Sequence, residues 1–481
     1  MRIPSLFLAL VCALGSSAPT FVAAERLNVL LITADDLGLQ LGCYGDKVIR
    51  TPNLDALAKR GRLFENAYVA QASCSPSRSA MFTGIFPHAN GQYGLVNGGF
   101  ELHQALRART IPALLKQAGY RTGIMGKLHV APEDSFPFDV RLRPDTRDVK
   151  AAAAEAREFL RGSEPFFQMA NYSDPHVLGR SPRPPQEAFP TQYKGVPEQP
   201  LRVGEVPPFP FQQIDTPEQI ERVTQYYNAV MRFDAALGLL LAELEKAGHA
   251  QNTLILFCGD HGPPFFRGKT SCYEGGVHVP MMAVWPGVFD GGQRTPALVG
   301  TVDLLPTILD AAGITAPAGL HGQSLRTTLD SAKHREFFST EFHYHGAAPF
   351  FPRRTVRDAR FKLIHNLRAG EIKPSPGIDG DAALKMAREG KFPGTRVGLT
   401  FERAANPPEF ELYDLQADPW EFDNLADKPE QAPTLDRMKE ALMKWRRSTD
   451  DPLLTPEGFA KVAAAAKPIA VPAKSKKKAQ K

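Results

Sequence analysis

Five short stretches of this chain gather residues that could share one chemical task. "ITADD" ends in Asp35 and Asp36, "GKLH" carries Lys127 and His129, "SDPH" carries Asp174 and His176, and "GDHG" carries Asp260 and His261. The fifth, "ASCSPSRSAMFTG", holds Cys74 and Arg78. Two adjacent carboxylates joined by a third from a distant segment make an oxygen-rich site suited to a hard divalent cation. The competing reading is that one of the pair only caps the segment that follows. Neighbouring side chains on a regular strand point to opposite faces, so the chain must turn at Asp35–Asp36 if both are to serve one ion. His261 is less typical beside calcium, although an imidazole can complete a mixed site.

Cys74 alone is open to several readings: a buried hydrophobe, half of a disulfide, a thiolate nucleophile, a metal ligand, or the precursor of another group. Its surroundings predict a helix start, with Pro76 in the first turn and Gly84 just past the end. Unpaired N–H groups at a helix start favour an anion, and Arg78, four residues on, rises over the same face. Ser73, Ser75 and Ser77 argue against an apolar pocket, and a thiolate remains possible.

The elements that must position these residues repeat one grammar. "LNVLLITADD" is a continuous apolar run ending in polar residues, as expected of a strand buried on both faces. "ARTIPALLKQAGYRTGIMGKLH" reads as a helix, a stop at Gly119 and a strand; "EPFFQMANYSDPH" and "NTLILFCGDHG" are two further strands. Strands alternating with helices predict an α/β fold, an open and mostly parallel sheet flanked by helices. The polar residues then fall at the carboxyl ends of the strands, the edge where such sheets bind ligands. Residues 178–215 are proline-rich and read as a long surface excursion, and "IERVTQYYNAVMRFDAALGLLLAELEKAG" as a long amphipathic helix. Past residue 335 the pattern changes to strands without crossover helices, "RTVRDARFKLIHNL" and "FELYDL", and a closing helix, "LDRMKEALMKWRRS".

The expected organisation is a signal peptide at 1–24, a catalytic α/β domain at 25–335, a small α+β domain at 336–455 and a Lys/Ala/Pro-rich disordered tail at 456–481. Arg2, the apolar "LFLALVCALG" and Val22-Ala23-Ala24 fit a cleaved secretory signal, so the mature chain is expected to be exported and not membrane-bound. The net charge of +5 is a property of the ends: seven lysines from Lys461 onward and Arg2 exceed it, leaving a slightly acidic body. The balance therefore does not argue for a nucleic-acid partner. Cys43, Cys74, Cys258 and Cys272 lack the spacing of a zinc knuckle, and spacing alone does not pair them.

"CSPSR" resembles the C-x-P-x-R signature of the type I sulfatases, whose cysteine is oxidised after synthesis to formylglycine. "NVLLITADD", "TPNLDALAKRG", "CSPSRSAMFTG", "GYRTGIMGKLH", "DPH", "GDHG", "GKTSCYEGGVHVP" and "ELYDLQADPWEFDNLA" extend the resemblance in family order over nearly the whole mature chain. It implies an alkaline-phosphatase-like fold and one Ca2+ held by Asp35, Asp36, Asp260 and His261, with an oxygen from the modified Cys74. It implies that Arg78 holds the aldehyde hydrate, and that Lys127, His129, His176 and Lys269 surround the sulfate and the bridging atom. His176 is the first candidate for protonating the leaving atom, with Lys269 second, and His129 for taking the proton as the aldehyde re-forms. A formylglycine-generating enzyme is the implied maturation partner, and a sulfated saccharide the implied substrate.

"HANGQYGL", "GKLHVAPEDSFPFD" and "RTVRDARFKLIHNL" look like the sulfamidase branch, the N-sulfoglucosamine sulfohydrolases, which cleave an N–S bond in heparan-type chains. Lys269 stands where that branch is better known for arginine, which keeps an O-sulfatase in view. His343, His345 and Arg354, at the junction of the two domains, are candidate sugar contacts or a histidine-bearing surface loop. A phosphatase of the wider superfamily would carry Ser or Thr as nucleophile and ligands for two zinc ions. A non-catalytic glycan-binding relative would have lost Cys74, Arg78 or the carboxylates.

Overall fold

The computed structural model describes residues 26–178, 189, 199–289, 291–330, 334–346, 348–374 and 382–465, so the expected signal segment and the last sixteen positions lie outside the described residues. The larger domain is built on eight strands: β1 (Asn28–Ala34), β2 (Arg62–Tyr68), β3 (Arg121–Met125), β4 (Val140–Leu142), β5 (Phe166–Tyr172), β6 (Thr253–Gly259), β7 (Met281–Val284) and β8 (Gln293–Gly300). Their order is β4-β3-β5-β1-β6-β7-β2-β8. β1 pairs in parallel with β5 and β6, and β7 alone runs antiparallel to its neighbours.

The apolar run of β1 is explained by that central place. Leu30, Ile32 and Ala34 feed one core and Val29 and Leu31 the other, so every residue of the strand is buried. The first core is closed by the helices Val149–Leu160 and Pro217–Lys246, the second by Ile111–Gln117, Cys74–Thr83 and Leu304–Ala311. Burying both faces is what permits a parallel sheet, and it leaves the strand ends as the place for polar groups.

The small domain is an antiparallel sheet, β12-β11-β10-β9, from β9 (Phe338–Phe342), β10 (Arg353–Arg357), β11 (Phe361–Asn366) and β12 (Phe410–Asp414). Strand alternation divides its residues. Leu363 and Leu412 pack under the Ala432–Ser448 helix, while Ile364 and Tyr413 face Cys272 of the larger domain.

Two expectations are corrected. The tail does not begin at 456: Pro456–Ala463 is a helix, Val462 is buried, and the Tyr344 hydroxyl reaches the carbonyls of Val462 and Ala463 at 2.9 Å each. In the proline-rich stretch, residues 179–188 and 190–198 lie outside the described residues, but Phe189, Phe209, Phe211 and Ile214 are buried. Its aromatic residues anchor it where its prolines suggested only an excursion. Cys43, Cys74, Cys258 and Cys272 are all free, and no described helix is long and apolar enough to cross a membrane.

Candidate active site

The carboxyl edge of the large sheet brings the dispersed stretches together. The parallel ladder closes with the Asp35 N–H on the Tyr172 carbonyl (3.1 Å) and the Asp260 N–H on the Ala34 carbonyl (3.1 Å), which sets the two aspartates side by side. Asp36 then takes the left-handed conformation, φ 66°, unusual for a residue with a side chain. That is the turn two adjacent carboxylates require. The Tyr226 hydroxyl secures it by donating to the Asp36 carbonyl and accepting from the Gly38 N–H, both at 3.0 Å.

Cys74 is the first residue of the Cys74–Thr83 helix, every position of which is buried, and Gly84 ends it at φ 66°. Its Sγ lies 3.3 Å from His261 Nε2 and 3.8 Å from Asp35 Oδ1. One turn on, Arg78 is wholly buried and hydrogen-bonded through Nε and Nη1, while Nη2 makes an ion pair but no hydrogen bond. Nε and Nη2 face Asp260 Oδ2 at 3.0 Å, and Nη1 donates to the Lys127 carbonyl and Asn171 Oδ1 at 3.1 Å.

The ligand set for a cation is coherent. One ligand atom each from Asp35, Cys74, Asp260 and His261 lie within 4.8 Å of one another, as do those of Asp35, Asp36, Cys74 and His176. Asp36 Oδ1 accepts no hydrogen bond although it is buried, and it faces His261 Nε2 at 3.3 Å and Lys269 Nζ at 3.1 Å. His261 Nδ1 faces the Gly262 carbonyl at 3.0 Å, which leaves Nε2 directed at the carboxylates. An imidazole anchored in this way presents its other nitrogen as a ligand. Convergent carboxylate oxygens, one of them unsatisfied, fit a hard dication, and the imidazole widens the choice of metal.

Electrostatics follow from crowding. Burial, then the charge of Asp35, pushes Asp260 up to about 6. Burial opposes charge on His261, but Asp260, the Cys74 sulfur and Asp36 overcome it and raise the imidazole to about 10. Burial also resists ionisation of Asp35, yet Lys127, His176 and Arg78 hold it well below the usual carboxylate range. For Cys74, Lys127 and Lys269 outweigh burial and keep the thiol well below its ordinary range. Lys127, 2.7 Å from Asp35 Oδ2, is raised to about 12 because Asp35 and Cys74 outweigh its burial.

Lys269 Nζ approaches His176 Nε2 at 3.4 Å, and His176 Nδ1 is held 2.6 Å from the Val177 carbonyl. His129 has φ 55° and a buried Nδ1 without a hydrogen-bond partner; among the described residues it bonds to none of the others in the cluster. Asp174, which shares the edge, is turned into the fold and paired with Arg147 at 2.9 Å and with Arg232.

The three small-domain candidates separate. His345 Nδ1 lies 2.9 Å from the hydroxyl of Ser73, the residue before Cys74, and His343 Nδ1 lies 3.1 Å from Gln71 Oε1. Arg354 is a correction: it is fully buried and grips Asp451 with two bonds of 2.8 Å, so no face of it is left for a sugar. Sequence reasoning missed Asn171, whose Oδ1 accepts from Thr33 (2.5 Å) and Arg78 and whose Nδ2 is buried without a partner. Its signal was one of two amides, with Gln168, inside the apolar run of β5.

Comparison with known proteins agrees with this geometry. The sulfatase family model matches residues 27–314, and a model described as N-sulphoglucosamine sulphohydrolase, C-terminal, matches 259–373. Human N-sulphoglucosamine sulphohydrolase is 34% identical over 475 residues, covering 90% of this chain and 93% of the relative. An ulvan-active sulfatase of Formosa agariphila is 29% identical, covering 90% and 84%. Among solved structures, one in complex with D-glucosamine-2-N,6-O-disulfate superposes with a TM-score of 0.66 at 21% identity, covering 89% of this chain and 99% of that one. A phosphonate monoester hydrolase of Agrobacterium radiobacter reaches 0.64 at 20% identity, covering 88% and 96%, a likeness of fold. With its cysteine-led helix, convergent carboxylates and lysines on one sheet edge, and near full-length likeness to a sulfohydrolase, the chain belongs to the sulfatase family.

Proposed function

We propose that this protein hydrolyses the N-sulfate of glucosamine residues in heparan-type glycans, with Cys74 converted to formylglycine by a generating enzyme and one Ca2+ as cofactor, in an exported compartment. The observation that carries the reading is the 34% identity to N-sulphoglucosamine sulphohydrolase over 90% of the chain, which includes the small domain beside the site. The apolar leader supports export.

Asp35, Asp36, Asp260 and His261 would hold the dication, which offsets charge on the sulfuryl oxygens. A hydrated aldehyde at Cys74 supplies a hydroxyl nucleophile and a second hydroxyl whose deprotonation releases sulfate. Arg78, clamped by Asp260 and Asn171, fixes the helix turn above the nucleophile and presents positive charge without moving. Lys127 and Lys269 flank the same point through Asp35 and Asp36, ready to balance charge that develops on sulfate. His176 Nε2 faces Lys269, with its other nitrogen beside a carbonyl, which suits it to hand a proton to the departing nitrogen. His129 is the base proposed for sulfate release.

The second reading is an O-sulfatase, favoured by lysine rather than arginine at position 269. The test is sulfate release from N-sulfated glucosamine against 6-O-sulfated N-acetylglucosamine, after mass spectrometry of the Cys74 peptide confirms the aldehyde. Release mainly from the N-sulfated sugar is expected; release mainly from the O-sulfated sugar keeps the family chemistry and overturns the branch.

A further inference from the structure

Lys269 belongs to the connection between β6 and β7, which opens with Asp260 and His261 and closes with the short helix Glu274–Val277. Its side chain is buried, with Nζ 3.1 Å from Asp36 Oδ1 and 3.4 Å from His176 Nε2. The backbone that aims it is unusual. Arg267, two residues before, and Thr270, one residue after, both take the left-handed conformation, at φ 68° and 65°. Residues with side chains keep such angles only where their surroundings impose them.

Part of that constraint is local to the larger domain. The Lys269 N–H donates to the Pro263 carbonyl and the Thr270 N–H to the Ala72 carbonyl, both at 2.8 Å. The rest comes from one residue beyond the small sheet. Glu421 is fully buried and is itself left-handed, at φ 62°. Its carbonyl accepts from Arg267 Nη2 at 2.9 Å, and the neighbouring Trp420 carbonyl accepts from the same nitrogen at 2.5 Å. Its carboxylate accepts from the Glu274 N–H at 2.6 Å. Glu421 therefore grips the connection on both sides of Lys269.

Two further contacts stiffen the tie. Lys362 of β11 lies 2.7 Å from Glu421 Oε1 and 2.9 Å from Glu274 Oε1, so two buried carboxylates share one ammonium. The Arg267 guanidinium sits 4.1 Å from the Tyr273 ring centroid and 4.9 Å from that of Phe422. Of the seven described non-glycine residues with left-handed backbone, three stand in this one junction. Strain gathered at one place points to a conformation held for use.

We propose that Glu421 is a positioning residue: by closing the neck of the β6–β7 connection, it sets where Lys269 presents its ammonium to the sulfuryl group. The small domain thereby takes part in the chemistry without touching the reacting atoms. The inference rests on the reading of the cluster as a sulfatase site in which Lys269 balances charge on sulfate.

The experiment is a double-mutant cycle of E421Q and K269A in the full, formylglycine-bearing protein with Ca2+ present. The substrate is whichever of N-sulfated glucosamine and 6-O-sulfated N-acetylglucosamine the wild type hydrolyses. E421Q alone lowers kcat by about ten- to a hundredfold, the loss expected of a misplaced group. KM changes little, because the charge Lys269 meets is greatest in the transition state. In the K269A background the same substitution changes kcat by less than about twofold, since the two residues act as a unit. An unchanged kcat in folded E421Q overturns the proposal, as does an undiminished loss in the K269A background. If E421Q does not fold, R267K takes its place with the same expectations, since it keeps the charge and gives up the fork to the Trp420 and Glu421 carbonyls. If the wild type hydrolyses neither sugar, the functional reading fails, and the cycle is read by equilibrium binding of inorganic sulfate. Weaker binding in E421Q that disappears in the K269A background upholds the positioning role, and additive losses overturn it.

Discussion

At the carboxyl edge of the large sheet, Asp35, Asp36 and Asp260 crowd one point, with Asp36 Oδ1 unsatisfied and Asp260 pushed up to about 6. Below the small sheet, His88, Glu341, Arg354, Arg446 and Asp451 are buried just as deeply, yet each charge has its partner. Asp451 accepts from Arg354, from Arg446 at 2.7 Å and from the Leu453 N–H at 3.0 Å; Glu341 faces His88 Nδ1 at 2.5 Å. Its carboxylates are held down, Asp451 far below its ordinary range and Glu341 at about 2. Buried charge alone therefore does not mark a site. Three carboxylates brought to one point, with an acceptor that takes no hydrogen bond despite the cations beside it, are the arrangement that calls for a further cation.

The sharpest way to break this contrast is C74A. Turnover is expected to fall by at least roughly a thousandfold, with far-UV and near-UV dichroism unchanged, since the removed group reacts and does not brace the fold. Retained turnover would remove the edge cluster from catalysis. D451A should do the opposite. Leaving Arg354 and Arg446 buried without their carboxylate costs about 3–5 kcal/mol of stability, read by denaturant unfolding. A loss under 1 kcal/mol would mean the lower cluster is not a structural lock.

Glu341 gives the pH test. His88 and Arg354 outweigh burial and lower its carboxyl from 4.5 to about 2. Between those values the unfolded chain binds the proton and the folded chain does not. The contribution is therefore complete above pH 4.5 and drains as pH falls to 2, about 3 kcal/mol in all. E341Q should flatten that part of the stability-versus-pH curve; an unaltered slope would place the acid sensitivity elsewhere. The smallest effect is expected from chelation. Removing a dication present at a hundred times its Kd lowers stability by about 2.7 kcal/mol in the wild type. Verified metal removal with no such loss, and with activity intact, would deny the edge cluster its cation.

Much of the edge was legible in the sequence because the central parallel strands, buried on both faces, carry charged residues only past their ends. Asp35, Lys127, His176 and Asp260 all announced themselves there, and the pair at 35–36 demanded the turn that Asp36 makes at φ 66°. Cys74 and Gly84 bounded their helix as the cap residues foretold. What was not legible depended on long-range partners. Arg354 reads as a candidate sugar contact until Asp451, ninety-seven positions away, is seen against it. Asn171 is an amide in a strand until Arg78 arrives, and Phe209 and Phe211 are hidden among prolines until the core claims them.

The helix Pro456–Ala463 also sets a clock. Its last carbonyls hold Tyr344, which lies between the histidines that touch Gln71 and Ser73. The brace behind Cys74 is thus completed only once the chain has been made as far as Ala463, roughly 390 residues after Cys74. At a synthesis rate of about 5–20 residues per second, that is an interval of roughly 20 to 80 seconds. In the finished fold Cys74 is 3% exposed and the helix it opens is buried throughout. If its thiol is converted by another protein, as proposed, that interval is when the thiol is open to it, before the chain closes over it.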